Sequence, residues 1–401
     1  MKKILWVSLT VPYDTVGHAG GKVHNFYLKE MKKLGLYDIF LISFCSENES
    51  SKLDLEEYQI PHSLIYYKED FVSKVKKELV NLPRKINMFD KNGGFSTIQR
   101  EYRLMKKLKE YKAGNHLPDI IIIQWTEIAL LLPQIKKIFP KAKYVCIEED
   151  VAYLGKYRKF QYCNNFLKKI YRYTQFKNLK KSELNVLQES DLVIVNNFKD
   201  EELITQEGIQ ANKIYRACPY FDSYDSVKRE YIEKNIIFYG AMNRLENIES
   251  VIWFIENVFN KLGEEYKFWI VGNRPSEKIL RYKSERIIVT GFVEDVSEIF
   301  KQAFCLVAPL VLGAGIKIKV LEAMSAGIPV LTNDIGIEGI GAAPDKEYFH
   351  CKTAEDYIKS IKQLNCEEVN LKVGNSGRIF LKQNFNKYEK IIKMSERINA
   401  L

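Results

Sequence analysis

The residues best suited to chemistry lie in the segment 308–332, which reads as a strand, a glycine-containing loop, a helix and a second strand. Gly313 and Gly315 let the backbone of this loop come close to a ligand, and the free amides that open the next helix favour a phosphate. Lys317 and Lys319 add positive charge at the helix start, where the helix dipole alone disfavours it. The segment therefore predicts an anion-binding loop.

Glu322 stands three residues after Lys319, about one helical turn further along the same predicted helix. A carboxylate at this place can accept hydrogen bonds from a vicinal diol such as a ribose. The alternative is an ordinary strand-to-helix turn whose lysines and glutamate are solvated.

Short apolar runs alternate with helical patterns through both halves of the chain, which predicts parallel sheets covered by helices on both faces. In the first half we expect strands at 4–9, 39–44, 120–123, 144–147, 192–195 and 214–217 and a helix at 22–34. In the second half we expect strands at 236–239, 268–271, 287–289, 305–308 and 330–332 and helices at 248–262, 293–302 and 316–326.

These patterns predict two doubly wound α/β domains, at 1–220 and 221–384, with the boundary in the polar stretch 219–228. A C-terminal helix within 385–401 is expected to pack back toward the first domain. Ligands of open parallel sheets bind at the carboxyl ends of the strands, so two facing domains would form a cleft there.

Several ordered segments resemble the family 4 retaining glycosyltransferases, which have the GT-B fold of two facing Rossmann-like domains with an interdomain cleft. The glycine–lysine–glutamate string within 308–332 resembles the family signature, and further matching segments lie at 237–242, 247–254, 269–272, 289–296 and 333–339. The resemblance implies that the second domain binds a nucleoside-diphosphate sugar and that the first receives the acceptor.

The resemblance also implies a set of donor-binding residues. Gly291, Phe292 and Val293 would contact the base, and Glu322 would contact the ribose. The diphosphate and the sugar would be held by loop residues, namely Gly240, Arg244, Gly313, Ala314, Gly315, Ile316, Lys317 and Lys319. Among these, Lys319 and Glu322 are also candidate catalytic residues.

The sequence departs from the family pattern at two places. Many members carry two glutamates in the signature, of which Glu322 fills the second place and Ala314 the first. Many members also carry an arginine and a lysine after the first strand of this domain, where Ala241 and then Glu246 or Asn247 stand here. We expect the lysines of the signature, with Arg244 as a weaker candidate, to supply the missing charge.

The first domain matches more weakly. Gly20 and Gly21 resemble the glycine loop with which the family approaches the donor phosphate, although a simple flexible loop is the alternative. Where the family often has a histidine after a middle strand, Glu149 and Asp150 stand here. Either carboxylate could take a proton from an acceptor hydroxyl, while Asp150 would also suit a helix N-cap.

All of the net charge of +10 lies before residue 221, because residues 1–220 hold 36 Lys and Arg against 26 Asp and Glu, whereas 221–401 hold 25 of each. The densest part, Lys156–Lys181, has nine basic residues, seven aromatic residues and no acidic residue. Such a pattern suits an anionic membrane surface. It would also suit single-stranded nucleic acid, but we find no nucleic-acid-binding motif and expect no nucleic acid partner. A solvated helix face with the aromatics as core is the remaining alternative.

The rest of the composition excludes several classes of protein. No apolar run reaches the ~18–20 residues of a membrane span, and the N-terminus lacks a signal-peptide cleavage site. The seven scattered cysteines form no Cys-x-x-Cys pair and the five histidines show no metal-ligand spacing, which favours a cytoplasmic protein without disulfides or a zinc site. His18 and His24 are interpreted as solvated or core residues.

We therefore predict a cytoplasmic, metal-independent glycosyltransferase without a cofactor, peripheral at the inner membrane face. It would move a sugar from a nucleoside-diphosphate sugar to a hydroxyl of a glycan or lipid-linked acceptor, with the retention of configuration that the resemblance implies. Two alternatives stay open: a catalytically weak glycan- or protein-binding partner subunit of a glycosyltransferase pair, and a GT-B sugar-nucleotide epimerase.

Overall fold

The computed structural model describes residues 1–68, 70–87, 90–229, 233–312 and 315–401. The chain forms two compact units, the first containing Met1–Tyr220 together with Lys387–Leu401 and the second containing Phe221–Asn386. Within the described ranges, none of the helices is both long and apolar enough to cross a membrane.

The first unit is built on a parallel sheet. Its strands are β1 (Lys2–Ser8), β2 (Tyr37–Ser46), β3 (His62–Tyr67), β4 (Ile120–Gln124), β5 (Lys143–Glu148), β6 (Leu192–Val195) and β7 (Ile214–Arg216). They pair in the order β3-β2-β1-β4-β5-β6-β7. The helices between them are α1 (Ala19–Lys33), α2 (Glu47–Ser50), α3 (Phe71–Ile86), α4 (Ile98–Ala113), α5 (Thr126–Ala129), α6 (Leu132–Ile138), α7 (Ala152–Gln161), α8 (Phe166–Glu189) and α9 (Phe198–Gln206).

The second unit repeats this plan with a smaller sheet. Its strands are β8 (Asn235–Tyr239), β9 (Lys267–Val271), β10 (Ile287–Gly291), β11 (Ala303–Ala308), β12 (Val330–Thr332) and β13 (Phe349–His350), in the order β10-β9-β8-β11-β12-β13. Its helices are α10 (Leu245–Asn257), α11 (Glu277–Leu280), α12 (Ser297–Lys301), α13 (Ile318–Ser325), α14 (Ala354–Gln363) and α15 (Glu367–Asn384). The chain then returns to the first unit as α16 (Lys387–Asn399).

Burial on both faces of the first sheet explains why its strands read as continuous apolar runs. The four isoleucines of β4 alternate between two clusters of buried side chains, one shared with α4, α6 and α8 and the other with α1 and α16. From α16, Ile391, Met394 and Ile398 join the second cluster. The Tyr37 hydroxyl also donates a hydrogen bond to the carbonyl oxygen of Ser395 (2.7 Å).

The two parallel sheets confirm the predicted pair of Rossmann-like halves, and each predicted strand is present with its ends shifted by a few residues. The strands β3 and β13 were not predicted, because β3 is an edge strand with a half-exposed pattern and β13 has only two residues. The helix predicted at 293–302 is wrong in length: only α12 forms. The Asp295 carboxylate accepts a hydrogen bond from the amide of Ser297 (2.9 Å) and so closes a turn just before α12, where the sequence pattern predicts a helix.

Each sheet reverses its strand order once, between β1 and β4 in the first unit and between β8 and β11 in the second. We call these two places the switch points. Helices on either side of a switch point pack on opposite faces of the sheet, so the loops that follow the two strands diverge. Ligands of such sheets bind at this position. Gly20 and Gly21 follow β1, and Gly240, Arg244 and residues 315–322 follow β8 or β11, whereas Glu149 follows β5 and Phe292 follows β10.

The ends of β8 and β9 approach each other too closely for a side chain. Gly272 has a φ of 149°, and a Cβ atom there would lie 1.7 Å from the carbonyl oxygen of Gly240. The amide of Gly240 in turn donates to the carbonyl oxygen of Val271 (3.0 Å). Two neighbouring glycines therefore let the backbone close up next to the second switch point.

We predict that Gly272→Ala destabilises the second unit by more than ~3 kcal/mol, because a methyl group cannot share space with a backbone oxygen. Gly341→Ala is the matched control, since its φ is also positive (79°) but its Cβ would meet no atom within 4 Å. We expect the control to lose about 1–2 kcal/mol. Denaturant unfolding measures both, and equal losses would contradict the close approach.

Candidate active site

Lys319 lies in the first turn of α13, next to the switch point of the second sheet. Its ammonium group donates to the side-chain oxygen of Asn247 (2.8 Å) and lies 4.2 Å from the centre of the Phe238 ring. A Cβ atom at Gly240 would lie 3.0 Å from the same nitrogen, so the ammonium group sits against the backbone at the end of β8. The fold thus fixes a cation at the carboxyl edge of the sheet.

The environment of Lys319 disfavours its charge. Burial lowers the pKa of the Lys319 ammonium group from the ordinary 10.5 to about 7, and the charges of Arg244 and Lys317 act in the same direction. The carboxylates of Glu246 and Glu322 oppose this effect without cancelling it. A cation held in such surroundings is stabilised by any anion that comes within contact distance, so the geometry favours an anionic ligand.

Lys317 behaves differently from its neighbour. It forms the N-cap of α13, and its ammonium group donates to the carbonyl oxygen of Gly315 and lies 4.0 Å from the Glu338 carboxylate. The first contact lies within the loop before α13, and the second joins this loop to the segment after β12. The structure therefore assigns the cation at the switch point to Lys319 and a loop-stabilising contact to Lys317.

Several predicted donor residues follow the neighbouring strands. Gly291 ends β10, and the Phe292 ring directly after it is 72% exposed, with Val293 half-buried. Arg244 caps α10 and pairs with Glu246 (2.6 Å).

Two further predicted positions in the anion-binding loop, Gly313 and Ala314, lie outside the described residues. Ile316, later in the same loop, is half-buried. The exposed Phe292 ring, at the carboxyl edge, offers a face on which a base could stack.

Glu322 is buried on α13, one turn after Lys319. Burial, and then the Glu322 charge, raise the pKa of the Tyr224 and Tyr239 hydroxyls. The carboxylate thus acts electrostatically on Tyr239, the last residue of β8, and its contact with a ribose stays a prediction.

In the first unit the glycine pair lies inside a helix, contrary to the predicted loop. The His18 ring accepts a hydrogen bond at Nδ1 from the Gly21 amide (3.0 Å), so α1 begins at Ala19 and not at 22. A Cβ atom at Gly20 would lie 3.3 Å from the indole nitrogen of Trp125. Trp125 has a φ of 74°, a backbone conformation that is rare for a bulky residue. Residues in such rare conformations occur preferentially at functional sites.

His24 is a core residue of the first unit. Its ring is fully buried, 5.8 Å from Trp6 and 5.2 Å from Trp125 between ring centres. Burial lowers the pKa of His24 to about 3, so this imidazole is neutral at physiological pH.

Glu149 lies in a network of side chains that joins four strand ends and α1. Its carboxylate accepts hydrogen bonds from the side-chain amides of Gln124 (2.5 Å) and Asn196 (3.1 Å). Gln124 accepts from the Trp6 indole (3.1 Å), and the Tyr27 hydroxyl lies 2.6 Å from the Asn196 side-chain oxygen. Two side chains thus hold the carboxylate directly, and two more, from β1 and α1, hold those two in place.

Glu149 and its neighbour Asp150 differ in their exposure to solvent. Burial raises the pKa of Glu149 to about 8, against the effect of the two amide donors, and nearby Asp150 and Glu148 raise it further. Asp150 itself is exposed. The alternative of Asp150 as a helix cap is wrong, because Val151 is the N-cap of α7.

Sequence reasoning missed a group of buried carboxylates behind Glu149. Glu183, on α8, accepts hydrogen bonds from the amides of Ala152 (2.8 Å) and Tyr153 (2.9 Å), and it so caps the start of α7. Glu148 accepts from Thr126, and burial raises its pKa to about 7. No local spacing indicates these contacts. In the part of the chain that the structure describes, no group of three or more His, Cys, Asp or Glu is arranged to hold a metal ion.

The second unit resembles known proteins in sequence. Residues 233–365 match the family model described as glycosyl transferases group 1. The chain is 24% identical to an uncharacterized 44.6 kDa protein in the cps region of Klebsiella pneumoniae. The alignment spans 355 residues and covers 85% of each chain.

Solved structures share the architecture at low sequence identity. Sucrose-phosphate synthase from Thermosynechococcus elongatus has a TM-score of 0.70 at 13% identity and covers 100% of this chain and 99% of its own. HepE of Anabaena in complex with UDP has a TM-score of 0.67 at 12% identity and covers both chains fully. TarM has a TM-score of 0.66 at 12% identity, covering 100% of this chain and 99% of its own. The chain as a whole thus has the GT-B fold, and its residues 233–365 match the glycosyl transferases group 1 model.

Proposed function

We propose that this protein is a glycosyltransferase that moves a sugar from a nucleoside-diphosphate sugar to an acceptor hydroxyl, with retention of the anomeric configuration and without a metal. The observation that carries the proposal is the Lys319 cation at the switch point of the group 1 domain, held by Asn247 and Phe238 beside Gly240. Solved structures of similar fold were obtained with UDP and with UDP-glucose, which supports a nucleotide sugar as donor.

The donor would bind along the carboxyl edge of the second sheet. In this proposal Lys319 and the start of α13 contact the diphosphate, Glu322 contacts the ribose, and Phe292 contacts the base. A preorganised cation stabilises the charge that develops on the departing diphosphate, which is where electrostatic catalysis contributes most. The loop that contains Gly315 would hold the sugar.

The acceptor would bind to the first unit, where Glu149 is positioned by two amides to take a proton from its hydroxyl. The likeness to a protein of a cps region supports a glycan or lipid-linked acceptor in polysaccharide synthesis. The basic segment Lys156–Lys181 would hold the enzyme at the anionic inner face of a membrane.

A single experiment tests the proposal. The purified chain is screened against nucleotide sugars for thermal stabilisation, because a ligand at ~100 times its Kd adds about 2.7 kcal/mol to the folded state. The stabilising donor is then offered with acceptor glycans, and release of the nucleoside diphosphate is measured. Binding without turnover would favour the alternative of a catalytically weak partner subunit. That alternative is motivated by Ala314, which stands in place of the first glutamate of the family signature. Isomerised donor without acceptor would favour an epimerase.

We predict that UDP binding is coupled to proton uptake by Lys319. Its pKa near 7 leaves much of the ammonium group neutral at pH 8 in the free protein, and the diphosphate restores the charge. The affinity for UDP should therefore fall as the pH rises above 7. Calorimetry at pH 8 in buffers of different ionisation enthalpy measures the uptake.

Lys319→Ala should abolish this uptake and weaken UDP binding by roughly 10- to 100-fold, while leaving uridine binding nearly unchanged. Lys317→Ala is the matched control and should retain the proton uptake. Equal losses for UDP and uridine would place Lys319 away from the diphosphate.

We predict that Glu322→Gln weakens donor binding and turnover together by about 1–3 kcal/mol, because a buried acceptor of a hydroxyl pair is lost. The control is Glu347→Gln, which changes another buried carboxylate of the same unit that accepts from the amide of Ala343. Steady-state kinetics and unfolding curves of both variants separate binding from stability. Wild-type kinetics in Glu322→Gln would remove this residue from the site.

We predict that turnover at saturating donor rises with pH up to about 8 and then levels off, because the Glu149 carboxyl must lose its proton before it can accept one. Glu149→Gln should lower turnover by roughly 100-fold or more and flatten this rise. Asp150→Asn, which alters the exposed neighbour, should keep both the rate and the pH profile. The reverse result would transfer the role to Asp150.

A further inference from the structure

The antiparallel pair formed by α7 and α8 sorts the aromatic residues of the basic segment into two groups. The first group lies between the helices: Tyr157, Phe160, Tyr173 and Phe176 contact one another in a chain, with ring centres 5.0 to 6.3 Å apart. These rings hold the two helices together. The alternative of aromatics as core describes Phe176, which packs against a buried cluster of the first unit, whereas Tyr157 and Phe160 are half-buried and Tyr173 is 43% exposed.

The second group lies where α7 ends and α8 begins. We call Tyr162, Phe166, Leu167 and Ile170 the hairpin tip. Tyr162 is 68% exposed, Phe166 74% and Leu167 76%, and Ile170 is also exposed. Large apolar side chains gathered at such exposure mark a surface that contacts something other than water.

Positive charge lies beside the hairpin tip. Lys168 and Lys169 are exposed in the first turn of α8 and Lys159 is exposed in the last turn of α7, and we call these three lysines the collar. Lys177 and Lys181, also exposed, continue the charge along α8. No Asp or Glu occurs between residues 156 and 181.

The exposure of the tip is not the fraying of a loose loop. The Arg172 guanidinium donates to the carbonyl oxygen of Lys159 (2.6 Å) and joins the helices just below the tip. The Asn165 side chain accepts from the amide of Lys168 (3.0 Å) and caps α8.

Further down, α8 is fastened to the segment before α4. The Asn178 side chain donates to the carbonyl oxygen of Asp90 (3.0 Å), and the Ser182 hydroxyl donates to that of Lys91 (2.6 Å). The apolar side chains are thus presented by a fixed support, so a partner would not have to order them first.

We propose that the hairpin tip inserts into an anionic membrane surface, with Phe166 and Leu167 entering the boundary between headgroups and acyl chains. Such a surface is negative outside and apolar beneath, which complements both the collar and the tip. Single-stranded nucleic acid fits less well, because the aliphatic Leu167 and Ile170 offer no face on which a base stacks. The inference deepens the proposed function and rests on it for the identity of the acceptor, although membrane binding is measured without any donor.

The test is flotation of the full chain with vesicles of phosphatidylcholine alone and of phosphatidylcholine with 30% phosphatidylglycerol, at low and high salt. Wild type should bind the anionic vesicles, more weakly at high salt, and bind the neutral ones poorly. The double change Phe166→Ser with Leu167→Ser should lower the partition coefficient at least tenfold. Reversal of Lys168, Lys169 and Lys177 to Glu should lower it further, at about fivefold per residue.

The matched control changes two exposed leucines elsewhere in the first unit, Leu36→Ser with Leu117→Ser, which should leave vesicle binding intact. A fluorescence readout excludes an indirect effect: Phe166→Trp should give an emission that shifts to the blue and is quenched by brominated lipid, whereas Leu36→Trp should not.

Three results would overturn the proposal. Loss of binding in the lysine reversal but not in the tip variant would mean attraction by charge without insertion. A dimer that the tip variant makes monomeric, with no vesicle binding, would mean self-association. Binding of a dT20 oligonucleotide in place of vesicles would mean nucleic acid. UDP binding is measured on the same preparations, so the two proposals can fail independently. A protein that binds vesicles but not UDP would contradict the proposed function alone, and one that binds UDP but not vesicles would contradict membrane insertion alone.

Discussion

Lys319, Gly20 and Trp125 depend on one topological constraint, the single reversal of strand order in each parallel sheet. The reversal separates the loops after β1 and β4 and the loops after β8 and β11, and it places polar groups where no helix covers the strand ends. Lys319 lies at one such place, and Trp125 and Gly20 meet at the other. The apolar strands supply the stability that lets these places carry strained and charged groups.

Burial acts on both sites in the same sense, toward neutrality. It lowers the pKa of Lys319 to about 7 and raises that of Glu149 to about 8, so neither group keeps its usual charge near pH 7.5. In each case neighbouring dipoles hold the group in position: Asn247 for the lysine, and Gln124 and Asn196 for the glutamate. A charged ligand that came into contact with either group would therefore change its protonation state, and such perturbed groups are common where enzymes bind or move charge.

The sequence was sufficient for whatever depends on local spacing. Apolar runs located the strands, and the short distance from Lys319 to Glu322 placed both on one helix. It was insufficient where contacts join distant segments. Asn247 reaches Lys319 across 72 residues, and nothing local separates Glu149 from Asp150, which differ only in what the fold brings to them. The aromatic residues of the basic segment likewise look alike in sequence, although packing places four of them between the two helices and leaves Tyr162 and Phe166 at the tip.

The return of α16 to the first unit makes the second unit an insertion within it. The chain leaves the first unit after Tyr220 and re-enters it at Lys387. Because Ile391, Met394 and Ile398 complete one of the two apolar clusters there, synthesis from the N-terminus leaves the part of that cluster next to α16 uncovered until residues 387–399 have been made. The second unit, contiguous in sequence, can bury its own core earlier. The N-terminal unit therefore exposes part of its apolar surface while the second unit is being made, although domains generally fold in order from the N-terminus during synthesis.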